Sequence, residues 1–190
     1  MSNYICLNNN FFQEGDYKIV PIRFEDKELI RNWRNEQMYH LRQKKLLTKN
    51  DQEIYFNSVV KKLFSKKNPE QIIFSFLHDN ICIGYGGLVH INWKEKTGEI
   101  SFLINTEMEN CFFKQNWKIF LNLIEQVAFL ELNFSKIYTY AYDLRKNLFE
   151  IIEECGYERE KILKNNIIVN EAFVDVIIHS KHNNFKGSVC

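Results

Sequence analysis

The fold class follows from one stretch of the sequence, Gly98-Glu-Ile-Ser-Phe-Leu-Ile104, and from the two segments that come after it. This run of apolar and β-branched residues has the length and composition of a strand. In the next segment, apolar residues recur at helical spacing: Trp117, Phe120, Leu121, Ile124, Val127 and Ala128. The third segment, Lys136-Ile-Tyr-Thr-Tyr-Ala-Tyr142, again has the pattern of a strand. The sequence thus predicts a strand-helix-strand unit at the middle of a mixed α/β sheet.

The rest of the chain extends this unit into a sheet of about seven strands. Five further strand-like runs lie at 17–23, 71–77, 81–91, 160–168 and 172–179. The second and third of these runs are joined by a short polar turn, which predicts a hairpin. Helices are predicted around the apolar spacing of residues 29–33, after the capping-box pair Thr48 and Asp51, and before Gly156, a residue type that favours the end of a helix.

The composition is that of one globular domain. The 190 residues are 45% hydrophobic and 26% charged, with two prolines and seven glycines, which excludes a disordered chain and leaves little room for linkers. The net charge of +1 hides an uneven distribution, because residues 18–67 contain 13 Lys and Arg against 6 Asp and Glu, and the remainder contains 12 against 18. The first third therefore has a net charge of 13 − 6 = +7, and the remainder has a net charge of 12 − 18 = −6.

The chain ends and the cysteines give further expectations. Residues 1–16, with an Asn run at 8–10, are expected to form a flexible lead-in, and residues 183–190 a tail, around a domain at 17–182. Five cysteines without paired spacing fit neither a disulfide framework nor a zinc site. The sequence does not begin with the basic segment and apolar segment of a signal peptide, and it has no apolar run long enough to span a membrane. We therefore expect a cytoplasmic protein without a membrane partner.

Several short stretches, taken in order, resemble the GNAT superfamily of acyl-CoA-dependent N-acyltransferases. Ile30-Arg-Asn-Trp-Arg-Asn35 is similar to the entry helix of the branch that contains the ribosomal-protein alanine acetyltransferases. Ile83-Gly84 with Gly87-Leu88 is similar to the third strand of the family, and Cys155-Gly156-Tyr157 to the end of its last helix. The resemblance extends over most of the chain. It implies the GNAT fold, a mixed central sheet with helices on both faces, and acetyl-CoA as cosubstrate without a metal.

A narrower resemblance suggests the acceptor. His90-Ile-Asn-Trp93 and Asn170-Glu-Ala-Phe-Val-Asp175 are similar to stretches of the N-acetyltransferase of the pseudaminic-acid pathway, which acetylates an amino group on a UDP-linked dideoxy sugar. This resemblance implies a small-molecule amine as partner, specifically a nucleotide-linked amino sugar for surface glycan biosynthesis. No specific nucleic-acid partner is expected; the sequence leaves the oligomeric state open, with a homodimer as the candidate assembly.

The GNAT resemblance places the acetyl-CoA contacts on one strand and at two helix starts. Backbone groups of Phe102, Leu103 and Ile104 are expected to pair with the pantetheine amide and to polarise the acetyl carbonyl. The glycine-rich pyrophosphate loop of the family falls on 112–117, which has no glycine, so side chains would have to assist the N–H groups of the helix N-terminus. The side chains expected to do so are Lys114, Gln115, Asn116 and Lys118, and Trp117, at the small-residue position of the loop, completes the expected cofactor-binding residues there. At the start of the last helix an asparagine of the family falls on Arg145, and Asn147 is the expected substitute.

Candidates for proton transfer lie on the strands that border the cleft in this family. Glu99 is the first candidate for the base that accepts the amine proton, and His90 is the second, since histidine is a common general acid-base group. The tyrosine that usually protonates the departing thiolate falls on Ile152, which cannot donate a proton. Tyr142, the last of three alternating tyrosines on its strand, is the expected replacement. Protonation by solvent and loss of catalysis are the alternatives.

Arg31, Arg34 and Arg42 of the basic region lie where this family binds the acceptor. A guanidinium can bind a phosphate through two hydrogen bonds, so this cluster suits the diphosphate of a nucleotide sugar. A solvated charged face is the alternative interpretation. Two other functions stay open, a protein N-terminal acetyltransferase and a GNAT-fold binding module that has lost catalysis. The missing glycine loop and the apolar Ile152 at the tyrosine position are the arguments for a binding module that has lost catalysis.

Overall fold

An eight-stranded mixed sheet forms the centre of the fold, in a computed structural model that describes residues 3–184. The strands are β1 (Phe12–Glu14), β2 (Tyr17–Pro21), β3 (Ile72–His78), β4 (Ile81–Asn92), β5 (Thr97–Ile104), β6 (Lys136–Tyr142), β7 (Glu158–Val169) and β8 (Ala172–His182). Their order in the sheet is β1-β2-β3-β4-β5-β6-β8-β7. Neighbours are antiparallel except for β5 and β6, which are parallel.

Helices cover both faces of this sheet, as the resemblance implies. They are α1 (Lys27–Glu36), α2 (Lys49–Tyr55), α3 (Lys61–Leu63), α4 (Phe113–Glu125) and α5 (Lys146–Glu154). α4 joins the parallel strands β5 and β6, which confirms the predicted strand-helix-strand unit. No helix within residues 3–184 has the length and apolar character needed to cross a membrane.

The two faces are distinguished by neighbouring residues of β5. Phe102 points to one face, where its ring stacks on Phe120 of α4 with 3.9 Å between the ring centroids. Ser101 points to the other face, where it lines a cavity with Ile30 of α1 and with Phe56, which follows α2. We call these the α4 face and the α1 face. α5 packs against α4 and therefore belongs to the α4 face.

Three local predictions are confirmed by the geometry. Thr48 Oγ1 accepts a hydrogen bond from the Asp51 N–H at 3.1 Å, and the Asp51 carboxylate accepts one from the Thr48 N–H at 2.9 Å, which forms the capping box of α2. Asp79 and Asn80 adopt positive φ angles of 49° and 67° between the paired strands β3 and β4, as expected for a tight hairpin turn. Gly156 has a φ of 82° directly after α5.

The segment before β2 differs from the predicted flexible lead-in. Tyr4 is fully buried and packs on Phe64, with 4.8 Å between the ring centroids. Its hydroxyl donates a hydrogen bond to the Ile73 carbonyl at 2.8 Å. β1 pairs with β2, which gives the sheet eight strands rather than about seven. These long-range contacts order a segment whose own sequence has no periodic pattern. Of the predicted C-terminal tail, residues 185–190 lie outside the described residues.

The sheet opens between β5 and β6. The two strands pair at only four positions, from Thr97 with Lys136 to Ile100 with Thr139. Beyond these positions β5 continues beside β4, and β6 continues beside β8 as far as Tyr142. The C-terminal halves of the two parallel strands therefore diverge, and a gap opens in the middle of the sheet.

Candidate active site

A cavity of about 350 Å³ lies where β5 and β6 diverge. Side chains alternate between the faces of a strand, so Ile100 and Phe102 point to the α4 face and Glu99 and Ser101 to the α1 face. All four residues line the cavity. The cavity is therefore accessible to groups from both faces of the sheet.

The wall on the α4 face is mainly apolar apart from Arg145 at the start of α5. Six apolar side chains and one hydroxyl contribute to it: Ile100, Phe102, Trp117, Ala141, Leu148, Ile152 and Thr139. Trp117 packs edge-on against Phe102, with 4.9 Å between the ring centroids. Thr139 Oγ1 is buried and has no hydrogen-bond partner among residues 3–184. This wall suits an extended, mostly aliphatic group that offers one polar atom to the hydroxyl.

The wall on the α1 face is polar and carries a charge cluster around Glu99. Glu99 is only 7% exposed, and its two carboxylate oxygens lie 2.9 and 3.0 Å from Arg42 Nη2. His90 Nδ1 lies 3.0 Å from Glu99 Oε2. The Arg42 guanidinium also stacks over the ring of Tyr140, with Cζ 4.0 Å from the ring centroid. The structure thus brings Glu99, His90 and Arg42, each expected at the site from the sequence, into one contact network.

A bulge in β4 brings His90 to Glu99. Val89 pairs with Glu99 and Asn92 with Thr97, so two residues of β4 lie opposite one residue of β5. Regular alternation would point His90 away from the face that carries Glu99. His90 instead has a φ of 48°, and this left-handed conformation turns the imidazole back to the carboxylate while leaving the ring largely exposed. One end of the network is therefore buried and the other is in contact with solvent.

Backbone groups of β5 face the gap. The N–H of Asn105 donates to the Ile83 carbonyl, so by antiparallel alternation residues 101 and 103 also bond to β4, whereas Phe102 and Ile104 point their N–H and C=O groups away from it. The Ile104 carbonyl is already engaged, because it accepts a hydrogen bond from the buried Gln37 side chain at 2.8 Å. The Phe102 N–H and C=O thus remain available beside the cavity.

A second charge cluster, which the sequence did not predict, lies at the start of α5. Arg145 is mostly buried, and its guanidinium contacts Glu109 at 3.4 Å, His40 Nε2 at 2.8 Å and the face of the Phe113 ring at 4.7 Å. Burial, together with the adjacent Arg145, lowers the pKa of His40 to about 3. Burial also lowers the pKa of Arg145 and raises that of Glu109. His40 is therefore a neutral hydrogen-bond acceptor in the cavity wall.

The buried neutral His40 should make the fold sensitive to acid. An unfolded histidine, with a pKa of about 6.5, takes up a proton between about pH 7.5 and 5.5, whereas folded His40 does not, so the free energy of unfolding should fall by about 1.4 kcal/mol over this range. Urea unfolding of the wild type and His40→Gln at both pH values measures this contribution. The wild type should lose about 1.4 kcal/mol more than the variant. Equal losses would mean that His40 is protonated in the folded protein.

Comparison with known families identifies the chain. The acetyltransferase (GNAT) domain model matches residues 19–178, most of the described chain. The chain belongs to the GNAT acetyltransferase family. It is an N-acetyltransferase, and acetyl-CoA is its cosubstrate. The narrower branch and the pseudaminic-acid resemblance stay predictions.

Solved structures share the GNAT fold at low sequence identity. The spermidine N-acetyltransferase from Vibrio cholerae in complex with CoA and spermine is 19% identical, has a TM-score of 0.76, and the match covers 90% of this chain and 97% of that chain. A dodecameric structure of the spermidine N-acetyltransferase from the same organism has 19% identity and a TM-score of 0.73, with 90% and 95% of the two chains covered. A putative acetyltransferase matches at 13% identity with a TM-score of 0.68, over 92% and 87% of the chains.

The residues expected at the GNAT pyrophosphate loop have different partners in the structure and do not form one group. Lys114 forms an ion pair with Glu154 of α5 at 2.8 Å, and Gln115 donates to the Tyr17 hydroxyl at 3.2 Å. Asn116 is buried, with no hydrogen-bond partner for its amide among residues 3–184, and Trp117 lines the cavity. The first N–H groups of α4 lack intrahelical partners and remain the phosphate donors that this helix start offers.

The remaining GNAT positions divide between the cavity and the surface. Ile152 is fully buried and lines the α4 wall, so the position of the usual tyrosine is apolar. Tyr142 lines the cavity, and burial raises the pKa of its phenol. Asn147 is exposed and does not line the cavity, whereas Arg145 does. Arg145 thus occupies the place for which Asn147 was predicted.

The three predicted acceptor arginines do not form one cationic cluster. Arg31 lies outside the cavity lining and contacts Glu28 and the Leu47 carbonyl. Arg42 lines the cavity, but its charge is paired with Glu99. Arg34 lines the cavity, and its hydrogen-bond partners within residues 3–184 are the uncharged Gln43 and Tyr85. A diphosphate bound by all three would require the Arg42 ion pair to open.

Proposed function

We propose that this protein transfers an acetyl group from acetyl-CoA to the primary amine of a small molecule, and that the reaction takes place in the cavity between β5 and β6. The observation that carries the proposal is that this cavity opens to both faces of the sheet. Its α4 wall suits the aliphatic arm of the cosubstrate, and its α1 wall presents the polar groups that an amine needs.

Each step of the transfer has a group of suitable chemistry. The Phe102 N–H is positioned to donate to the acetyl oxygen as negative charge develops there. Glu99 accepts the proton that the amine loses as the N–C bond forms, and His90 offers it a route to solvent. Tyr142 or water supplies a proton to the sulfur as the C–S bond breaks. Acetyl-CoA supplies the activated thioester.

For the acceptor we retain a nucleotide-linked amino sugar as the specific proposal. The basic surplus of residues 18–67 and the uncharged partners of Arg34 support an acceptor that carries negative charge. The structurally similar spermidine N-acetyltransferase makes a polyamine the competing acceptor, and a peptide N-terminus is the third. A cytoplasmic location and a homodimer stay predictions.

Two measurements test the proposed function. Calorimetric titration with acetyl-CoA should show binding, and an assay of thiol release should show turnover with amines of one of three classes: nucleotide amino sugars, polyamines or short peptides. Turnover of the first class alone would support the specific acceptor. Absence of acetyl-CoA binding at millimolar concentration would contradict the function and leave a GNAT-fold binding module.

A further inference from the structure

A second cavity, of about 260 Å³, adjoins the first on the α1 face. It lies between the helices α1 and α2 and the sheet. The two cavities share four lining residues, Arg34, Gln71, Val89 and Ser101, so they meet at the α1 wall of the site described above. A molecule that enters the second cavity can therefore extend toward Glu99.

The second cavity is lined mainly by apolar and aromatic side chains. Ile30, Phe56 and Ile73 are buried around it, and Tyr55 and Tyr85 contribute their rings. The Tyr55 hydroxyl accepts a hydrogen bond from Gln71 Nε2 at 3.0 Å, so this phenol is held in place. An apolar pocket with a few fixed polar groups is the usual form of a small-molecule site.

Arg34 stands where the two cavities meet, and its charge is not balanced. Its Nη1 donates to the Tyr85 hydroxyl at 2.7 Å and its Nε to Gln43 Oε1 at 3.0 Å, and both acceptors are neutral. Among residues 3–184 no carboxylate forms an ion pair with it. The guanidinium has five N–H donors and uses two of them in these bonds.

The other charged groups around the two cavities are satisfied. Arg42 is paired with Glu99, and Arg145 with Glu109. Asp51 Oδ2 accepts two hydrogen bonds from Thr48 in the capping box of α2, at a site that solvent reaches, so its charge needs no counter-ion. A largely buried cation without a counter-ion is costly, and neutral partners that position a side chain do not remove this cost. An anionic group on a ligand would remove it and use the free donors.

We propose that the second cavity is an acceptor subsite and that Arg34 binds an anionic group of the acceptor there while the amine lies beside Glu99. This inference rests on the proposed function and deepens it, because it assigns the acceptor to amines that also carry a carboxylate or a phosphate. A polycation such as spermidine would place positive charge against Arg34 and is disfavoured.

The test compares pairs of amines that differ in one anionic group, with a polycation beside them. 4-Aminobutyrate against butylamine probes a carboxylate, O-phosphoethanolamine against ethanolamine probes a phosphate, and spermidine is the polycation. The wild type should turn over the anionic member of at least one pair with a kcat/KM about 10- to 100-fold above that of the amine without the anionic group. In Arg34→Gln this preference should disappear, mainly through a higher KM for the anionic member of the pair. Lys27→Gln, which removes a positive charge from α1 outside both cavities, should retain the preference.

A preference for spermidine, or an anion preference that survives in Arg34→Gln, would overturn the inference. If none of these amines is turned over, crystals soaked in bromide decide it, because the anomalous signal locates anions directly. Bromide on the Arg34 guanidinium would support the subsite, and bromide bound elsewhere but absent there would overturn it. Failure of acetyl-CoA to bind would contradict the proposed function but not the anion subsite, because bromide can bind at Arg34 whether or not acetyl-CoA binds.

Discussion

Replacing Glu99 by glutamine is expected to lower kcat/KM for acetyl transfer by about 10²- to 10⁴-fold. The amide has the shape of the carboxylate and can still accept hydrogen bonds from Arg42 and His90, but it cannot take up the amine proton. Because Glu99 lies on the α1 wall, the dissociation constant of acetyl-CoA should stay within about threefold. Steady-state kinetics and titration with acetyl-CoA measure the two effects separately.

Glu95→Gln is the matched control for this variant. Glu95 lies in the exposed turn between β4 and β5, four residues before Glu99, and its replacement removes the same charge without touching the cavity. Its kinetics should equal those of the wild type. Retention of activity in Glu99→Gln within about threefold would exclude Glu99 as the base, and the exposed His90 would then be the remaining candidate.

Filling the gap between the strands should weaken binding of the cosubstrate strongly. Ala141 of β6 lies on the α4 face and lines the cavity, and a tryptophan there would occupy much of its volume of about 350 Å³. We expect Ala141→Trp to weaken acetyl-CoA binding by about 100-fold or more, because the pantetheine arm and the indole cannot occupy the same space. Titration calorimetry measures the affinity.

The control for the tryptophan variant uses the same substitution at a surface position. Ala172 is exposed at the start of β8, so Ala172→Trp should bind acetyl-CoA as the wild type does. Overpacking at Ala141 is expected to cost about 1–3 kcal/mol of stability, which urea unfolding would measure. Normal affinity in a folded Ala141→Trp protein would place the cosubstrate outside this cavity.

The strand-helix-strand centre of the fold could be predicted because its signals are local. The apolar period of α4, the capping box at Thr48 and the glycine after α5 each lie within a few residues and act without distant partners. β1 could not be predicted in this way. It has three residues, and its position depends on pairing with β2 and on the burial of Tyr4 against residues about 60 or more positions away.

Some residues of the candidate site were predictable from the sequence, but the network that joins them was not. Glu99 and His90 were expected from their strands, yet their contact needs a bulge and a left-handed residue that no local pattern indicates. Arg42 was expected to bind substrate, and its pairing with Glu99 joins positions 57 residues apart. The sequence predicted Asn147 at the site rather than Arg145. The burial of the Arg145 guanidinium against Phe113 could not be predicted, because it depends on the packing of α4 and α5.

A crystal structure of the protein with CoA tests the proposed mechanism most directly. We predict that the pantetheine arm lies in the gap between residues 101–104 of β5 and residues 140–142 of β6. The thiol should lie near the Phe102 N–H, with Glu99 across the gap on the α1 face. CoA bound at another surface, or an empty gap in crystals grown with millimolar CoA, would contradict this mechanism.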